Sequence, residues 1–139
     1  MIDSVRLSQQ ARDQLVTLKR YTGIKQWNTL CRWAFCISLA EPTPPPKTKI
    51  VTDSSVEMTW KVFGGTYQEL YLGLIKQRCE EDGLGSDPEV VAHQFRLHLH
   101  RGIGYLAGEK NLRTISALVS KAVDARVARP ATSLQGPPS

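Results

Sequence analysis

Residues 4–42 read SVRLSQQARDQLVTLKRYTGIKQWNTLCRWAFCISLAEP, and the fold turns on how this stretch is divided. Ser8 is a natural N-cap, since its hydroxyl can accept a hydrogen bond from an amide of a first helical turn. Leu7, Ala11, Leu15 and Leu18 then recur at the spacing that gathers apolar side chains on one helix face. Gly23 suits the left-handed position that ends such a helix, because it has no Cβ to clash. Trp27, Leu30, Cys31, Ala34, Ile37 and Ser38 outline the buried face of a second helix. In front of both, Ser4-Val5-Arg6-Leu7 alternates polar and apolar residues as a half-buried strand does. Strand, helix, glycine turn and helix is the order of a ribbon-helix-helix unit, whose strands pair across a dimer in the DNA major groove. A plain helical hairpin with a frayed start satisfies the same spacing.

Downstream the chain changes character. Glu41-Pro42-Thr43-Pro44-Pro45-Pro46 is excluded from helix, because proline lacks the amide and restricts the residue before it. Such a run is a stiff extended connector. Val56 to Phe63 alternates over one strand's length before Gly64-Gly65, predicting a buried face of Val56, Met58, Trp60 and Val62. Thr66-Tyr67-Gln68-Glu69 has the form of a capping box opening a third helix, with Leu70, Tyr71, Leu74, Ile75, Arg78 and Cys79 on its inner face. Asp87-Pro88-Glu89 marks a fourth helix start, through Val91, Phe95 and Leu99 toward Leu106. Gly102 and Gly104 within it signal either close helix approach or a break. A fifth helix is expected on Leu112, Ile115, Leu118, Val119 and Ala122. The expectation is thus a mainly α, small helical domain of about five helices with an N-terminal ribbon-helix-helix-like unit and a short β element. It spans residues 1–123, and 124–139 forms a disordered tail.

Composition narrows the function classes. The 139 residues suffice for one core. No run of about 18 apolar residues is present to span a membrane. The start lacks the apolar segment of a secretory signal, which points to the cytoplasm. Three cysteines, Cys31, Cys36 and Cys79, cannot all pair, and Cys31 and Cys36 lie about 140° apart on a helix. Buried, reduced thiols are expected rather than a metal or redox pair.

The formal net charge of +5 is unevenly placed. Residues 1–40 hold six Lys/Arg against two Asp/Glu, residues 66–87 hold two against five, and residues 88–139 hold seven against three. Basic clusters favour a polyanion through counterion release, so Arg6, Arg12, Lys19, Arg20 and Lys25 are the candidate DNA contacts. Arg96 and Arg101 are the next choice. His93, His98 and His100 are the candidates for catalysis, but their spacings of five and two put no pair on one helix face, as a zinc-binding helix would. No nucleophile elbow, phosphate loop or dinucleotide fingerprint is present. Neither a catalytic residue nor a metal ligand nor a cofactor is therefore assigned. Trp33 falls about 120° from Trp27 and off the Leu30/Ala34/Ile37 stripe. With Phe35 it would form an exposed apolar patch, the mark of a subunit interface.

Leu7-Ser8 to Thr22-Gly23, followed by Trp27-Asn28-Thr29-Leu30-Cys31-Arg32-Trp33-Ala34-Phe35-Cys36-Ile37-Ser38-Leu39-Ala40-Glu41-Pro42, resembles the DndE family of the bacterial DNA phosphorothioation (DNA sulfur modification) system. Phe63-Gly64-Gly65, Tyr71-Leu72 and His100-Arg101-Gly102-Ile103-Gly104-Tyr105-Leu106 continue it, so that it covers roughly residues 4–120. Lys25-Gln26-Trp27 departs from a shorter Thr-Pro turn in some relatives. The resemblance implies a small helical protein without catalysis of its own, a homo-oligomer with a tetramer favoured. It implies double-stranded DNA as ligand, nicked DNA included, and work beside a reductase-like sulfur-transfer protein and an ATPase. A stand-alone ribbon-helix-helix regulator is the alternative, and would prefer a palindromic operator by orders of magnitude.

Overall fold

A computed structural model describes residues 2–108; the expected fifth helix and tail lie outside them. Five helices and two short strands follow in the order β1 (Ser4–Arg6), α1 (Gln9–Thr22), α2 (Trp27–Ala40), β2 (Glu57–Thr59), α3 (Trp60–Gly64), α4 (Gln68–Glu81) and α5 (Pro88–Gly108). The architecture is mainly helical with one two-stranded sheet.

The N-terminal signals act as their chemistry dictates. Ser8 Oγ accepts from the Ala11 amide at 3.1 Å, and Asp53 Oδ1 accepts the Gln9 amide at 3.0 Å. Gly23 ends α1 at φ +78° with its amide on Lys19 O. The strand, however, pairs within the chain. β1 runs antiparallel to β2, with Ser4 opposite Thr59, Val5 opposite Met58 and Arg6 opposite Glu57. Backbone bonds from Leu7 N to Val56 O and from Ser54 N to Leu7 O extend the ladder, and Trp60 N bonds Asp3 O beyond its other end. One edge of β1 is thus paired with β2 of the same chain rather than with a second copy.

The predicted strand through Phe63 stops at Thr59. Its hydroxyl accepts from the Val62 amide at 3.1 Å and caps a single helical turn, α3. Val56, Met58 and Trp60 are buried as expected, but the helical turn swings Val62 to the surface at 50% exposure. Side chains of α2 stabilise that turn: Asn28 Nδ2 and Arg32 Nη2 donate to Val62 O, and Arg32 Nε donates to Phe63 O. A 3₁₀ turn, Gly65–Tyr67, runs directly into α4 and supplies the Gln68 amide with Gly65 O. The capping box therefore does not form, and Tyr67 at the N-cap makes no side-chain capping bond. Leu70 faces solvent, leaving Ile75, Arg78 and Cys79 as the buried side of α4.

At the centre, α2 lies principally on α5. Gly102 explains the closeness: a Cβ built there would stand 1.8 Å from the Ala34 carbonyl oxygen. Of the two readings open for this glycine, close approach holds, and α5 continues unbroken past Gly104. Beside the crossing, Phe35 meets Phe95, Phe63 and Tyr71, and Trp60 stacks on Phe63 at 5.0 Å between centroids. Phe35 is fully buried, so it cannot form the exposed patch expected with Trp33. Two residues apart on a helix are about 200° apart, which sends Phe35 inward while Trp33 stays half-buried.

Candidate nucleic-acid interface

The five sequence-selected cations do not form one patch. Lys19 and Arg20 occupy the last turn of α1, where positive charge complements the helix dipole. Lys19 Nζ lies 3.9 Å from the centroid of the Trp27 ring, a cation–π contact that ties the end of α1 to the start of α2. Arg20 and Lys25 are exposed and make no ion pair among the described residues. Arg12 joins Lys25 in lining an open cleft of about 650 Å³ between the α1–α2 turn and β2, with Trp27, Asn28 and Met58 on its walls. Asp13 sits 3.2 Å from Arg12 Nη1 and offsets part of that charge.

Arg6 belongs elsewhere. It bridges across the sheet to Glu57 at 2.8 Å, and Ser4 Oγ donates to the same carboxylate. The Arg6 hydrogen bond holds the Glu57 carboxyl below its ordinary range, with the Arg6 charge adding to it. Arg6 lines a second cleft, between β1 and α5, that also contains Arg96.

Sequence reasoning missed a polar cluster at the C-terminal end of α2. Arg78, 7% exposed, donates through Nη1 to Leu39 O, through Nη2 to Glu41, Pro42 and Thr43 O, and through Nε to Asp82. Arg101 donates to Ser38 Oγ, Ser38 O and Thr43 O. Together they hold the proline connector against α2 and supply the donors its terminal carbonyls lack. Arg101 is thereby committed to the protein's own backbone. Ser38 Oγ also meets His98 Nδ1 at 2.8 Å. Arg101 Nε donates to that same oxygen, while His98 Nε2 has no partner among the described residues. Burial first, then the Arg78 and Arg101 charges, push His98 down to about 3. The pair is geometrically a Ser–His dyad, yet both residues are fully buried, beyond reach of a substrate. The one available signal was spacing, which puts His98 and Arg101 on one face of α5 and Arg78 and Asp82 on one face of α4.

His100 has a comparable task. Its Nδ1 donates to Arg96 O and its Nε2 accepts the Ser8 amide at 3.1 Å, pinning the β1–α1 junction to α5. Burial lowers its pKa. His93 is exposed. Cys31 is buried and its thiol pushed up to about 12, and burial also raises Cys79, so neither is a ready thiolate. Among the described residues no group of His, Cys, Asp and Glu is placed to hold a metal ion, and no helix is long and apolar enough to cross a membrane.

A family model described as DNA sulphur modification protein DndE matches residues 4–114, from β1 past the end of α5. The chain belongs to the DndE family. Solved structures of DndE proteins share its fold. One is the crystal structure of DndE from Escherichia coli B7A, involved in DNA phosphorothioation modification: 23% identical, TM-score 0.65, covering 76% of this chain and 98% of that one. Another is a DndE mutant involved in DNA phosphorothioation: 20% identical, TM-score 0.61, covering 78% of this chain and all of that one. No curated protein matches this chain. Membership places the chain among DNA sulphur modification proteins.

Proposed function

We propose that this DndE-family chain is a non-catalytic subunit that binds the DNA backbone, nicked duplexes included, and helps assemble the phosphorothioation machinery in the cytoplasm. The observation that carries this reading is the α1–α2 turn. Arg20 and Lys25 are exposed on it with no ion pair among the described residues, with Lys19 beside them and Arg12 across the adjoining cleft. Cations presented from two helix ends fit phosphates without reading bases. Partners in the assembly are a reductase-like sulfur-transfer protein and an ATPase. A symmetric homo-oligomer, a tetramer, uses the half-buried Trp33 at its interface and sets several turns on one surface, raising effective concentration on DNA.

Replacing Lys19 and Arg20 together by Ala tests the reading. Binding to all duplex sequences should weaken, and the slope of log affinity against log salt should fall by roughly one to two units. An unchanged slope removes the turn as the DNA surface. Light scattering at micromolar concentration checks the assembly, and a monodisperse monomer overturns it.

A further inference from the structure

The cleft between β1 and α5 is separate from the α1–α2 turn, with a volume of about 250 Å³. That is space on the order of eight water molecules at about 30 Å³ each. Arg6 and Ser4 stand on one wall, Arg96 and Phe95 on another, with Thr52 from the connector and Glu57 from β2 completing the rim. Glu57 is the acidic member, and its carboxylate is already engaged by Arg6 and Ser4. Arg96 is half-buried, and its guanidinium has no hydrogen-bond acceptor among the described residues. His100, one turn along α5, is occupied by the Arg96 carbonyl and the Ser8 amide. The cleft therefore carries one uncompensated positive charge beside the Thr52 hydroxyl, the Ser4 hydroxyl being spent on Glu57.

We infer that this cleft is a binding site for a phosphate-type oxyanion, held by Arg96 and Arg6 with Thr52. Arg6, Arg96 and Thr52 line the cleft from separate elements, β1, α5 and the connector, so their donors would address several oxygens of a tetrahedral anion. A planar carboxylate would be satisfied by one guanidinium in bidentate fashion. Arg6 lies beside both Glu57 and the cleft, so it can share its donors between them. The site does not rest on the turn's role in DNA binding, since free phosphate and a backbone phosphate present the same chemistry.

Arginine modification by phenylglyoxal, read residue by residue by mass spectrometry, tests it on the full chain. Inorganic phosphate should slow modification of Arg96 by about tenfold relative to chloride at equal ionic strength, the scale of a charge-assisted hydrogen bond. Exposed Arg20 should be unaffected by free phosphate. Calorimetry with inorganic phosphate should show binding that is lost in Arg96→Gln and kept in the Lys19→Ala/Arg20→Ala pair. A duplex oligonucleotide forms the second arm. Protection of Arg96 by the duplex identifies the backbone as the source, whereas protection by free phosphate alone identifies a small anion. If neither probe protects Arg96, or if phosphate slows Arg20 equally, the site does not exist.

Discussion

At the α1–α2 turn, Arg20 and Lys25 are exposed without an ion-pair partner among the described residues, whereas Arg78 and Arg101 spend their donors on the carbonyls of α2 and the proline connector. All four count equally in a tally of formal charge. They differ in what surrounds the guanidinium or ammonium. A cation at a helix end in water retains its field for an external anion and contributes only a few tenths of a kcal/mol to stability. A buried guanidinium with its donors filled has little left for a ligand, but the fold depends on it. Net charge therefore overstates the surface available to DNA.

The contrast breaks most visibly at the clamp. Arg78→Ala strands the Asp82 carboxylate and the Leu39, Glu41 and Pro42 carbonyls, leaving Thr43 O to Arg101, and should cost about 3–5 kcal/mol in urea unfolding, as removing one partner of a buried pair does. A loss under about 0.5 kcal/mol, the size of an ordinary surface change, would make Arg78 no different in kind from Arg20. Gly102→Ala strikes the spacing on which the clamp depends, because Ser38 on α2 and Arg101 on α5 meet only while the helices stay close. Its methyl would meet the Ala34 carbonyl, and overpacking should destabilise by about 1–3 kcal/mol or more.

Acid sharpens the same distinction. His98 is held near 3 in the fold against 6.5 when free, so the unfolded chain binds the extra proton in that window. Stability present above pH 6.5 should therefore decline as pH falls toward 3, with the depressed His100 contributing in the same direction. Urea midpoints against pH report this, and His98→Gln should flatten that part of the curve. The smallest effect belongs to the turn: Lys19→Ala/Arg20→Ala should lower stability by about 1 kcal/mol at most, the scale of the Lys19 cation–π contact, while weakening DNA binding. A large loss of stability there would assign those residues to the fold instead.

Much of the helical plan was legible because its signals are local. Ser8, Gly23 and Asp87-Pro88 each mark a boundary through the backbone geometry or hydrogen bond they impose, and α1 and α5 begin or end there. What escaped depends on distant partners. The turn at Trp60 is completed by Asn28 and Arg32, more than 30 residues earlier, so the alternation through Val62 and Phe63 read as strand. β1 was recognisable, but its partner lies more than 50 residues away, and alternation carries no address for it. The candidate contacts scattered for the same reason: Arg6 was grouped with the turn by sequence proximity, while the sheet sends it to the cleft it shares with Arg96. Phe35 was misplaced by treating neighbours in sequence as neighbours on a helix face.

The crossing of Gly102 over Ala34 also bears on how the protein is made. Ala34 and Phe35 have no partner from α5 until Phe95 and Gly102 have been synthesised, 68 residues separating the two that cross. At bacterial and eukaryotic elongation rates of about 5–20 residues per second, α2 leaves the ribosome roughly 3–14 s before its main packing surface exists. During that interval the aromatic side of α2 is open to other nascent chains and to chaperones. A pause in translation between Pro42 and Pro88 would lengthen this exposure, and one after Gly102 would not.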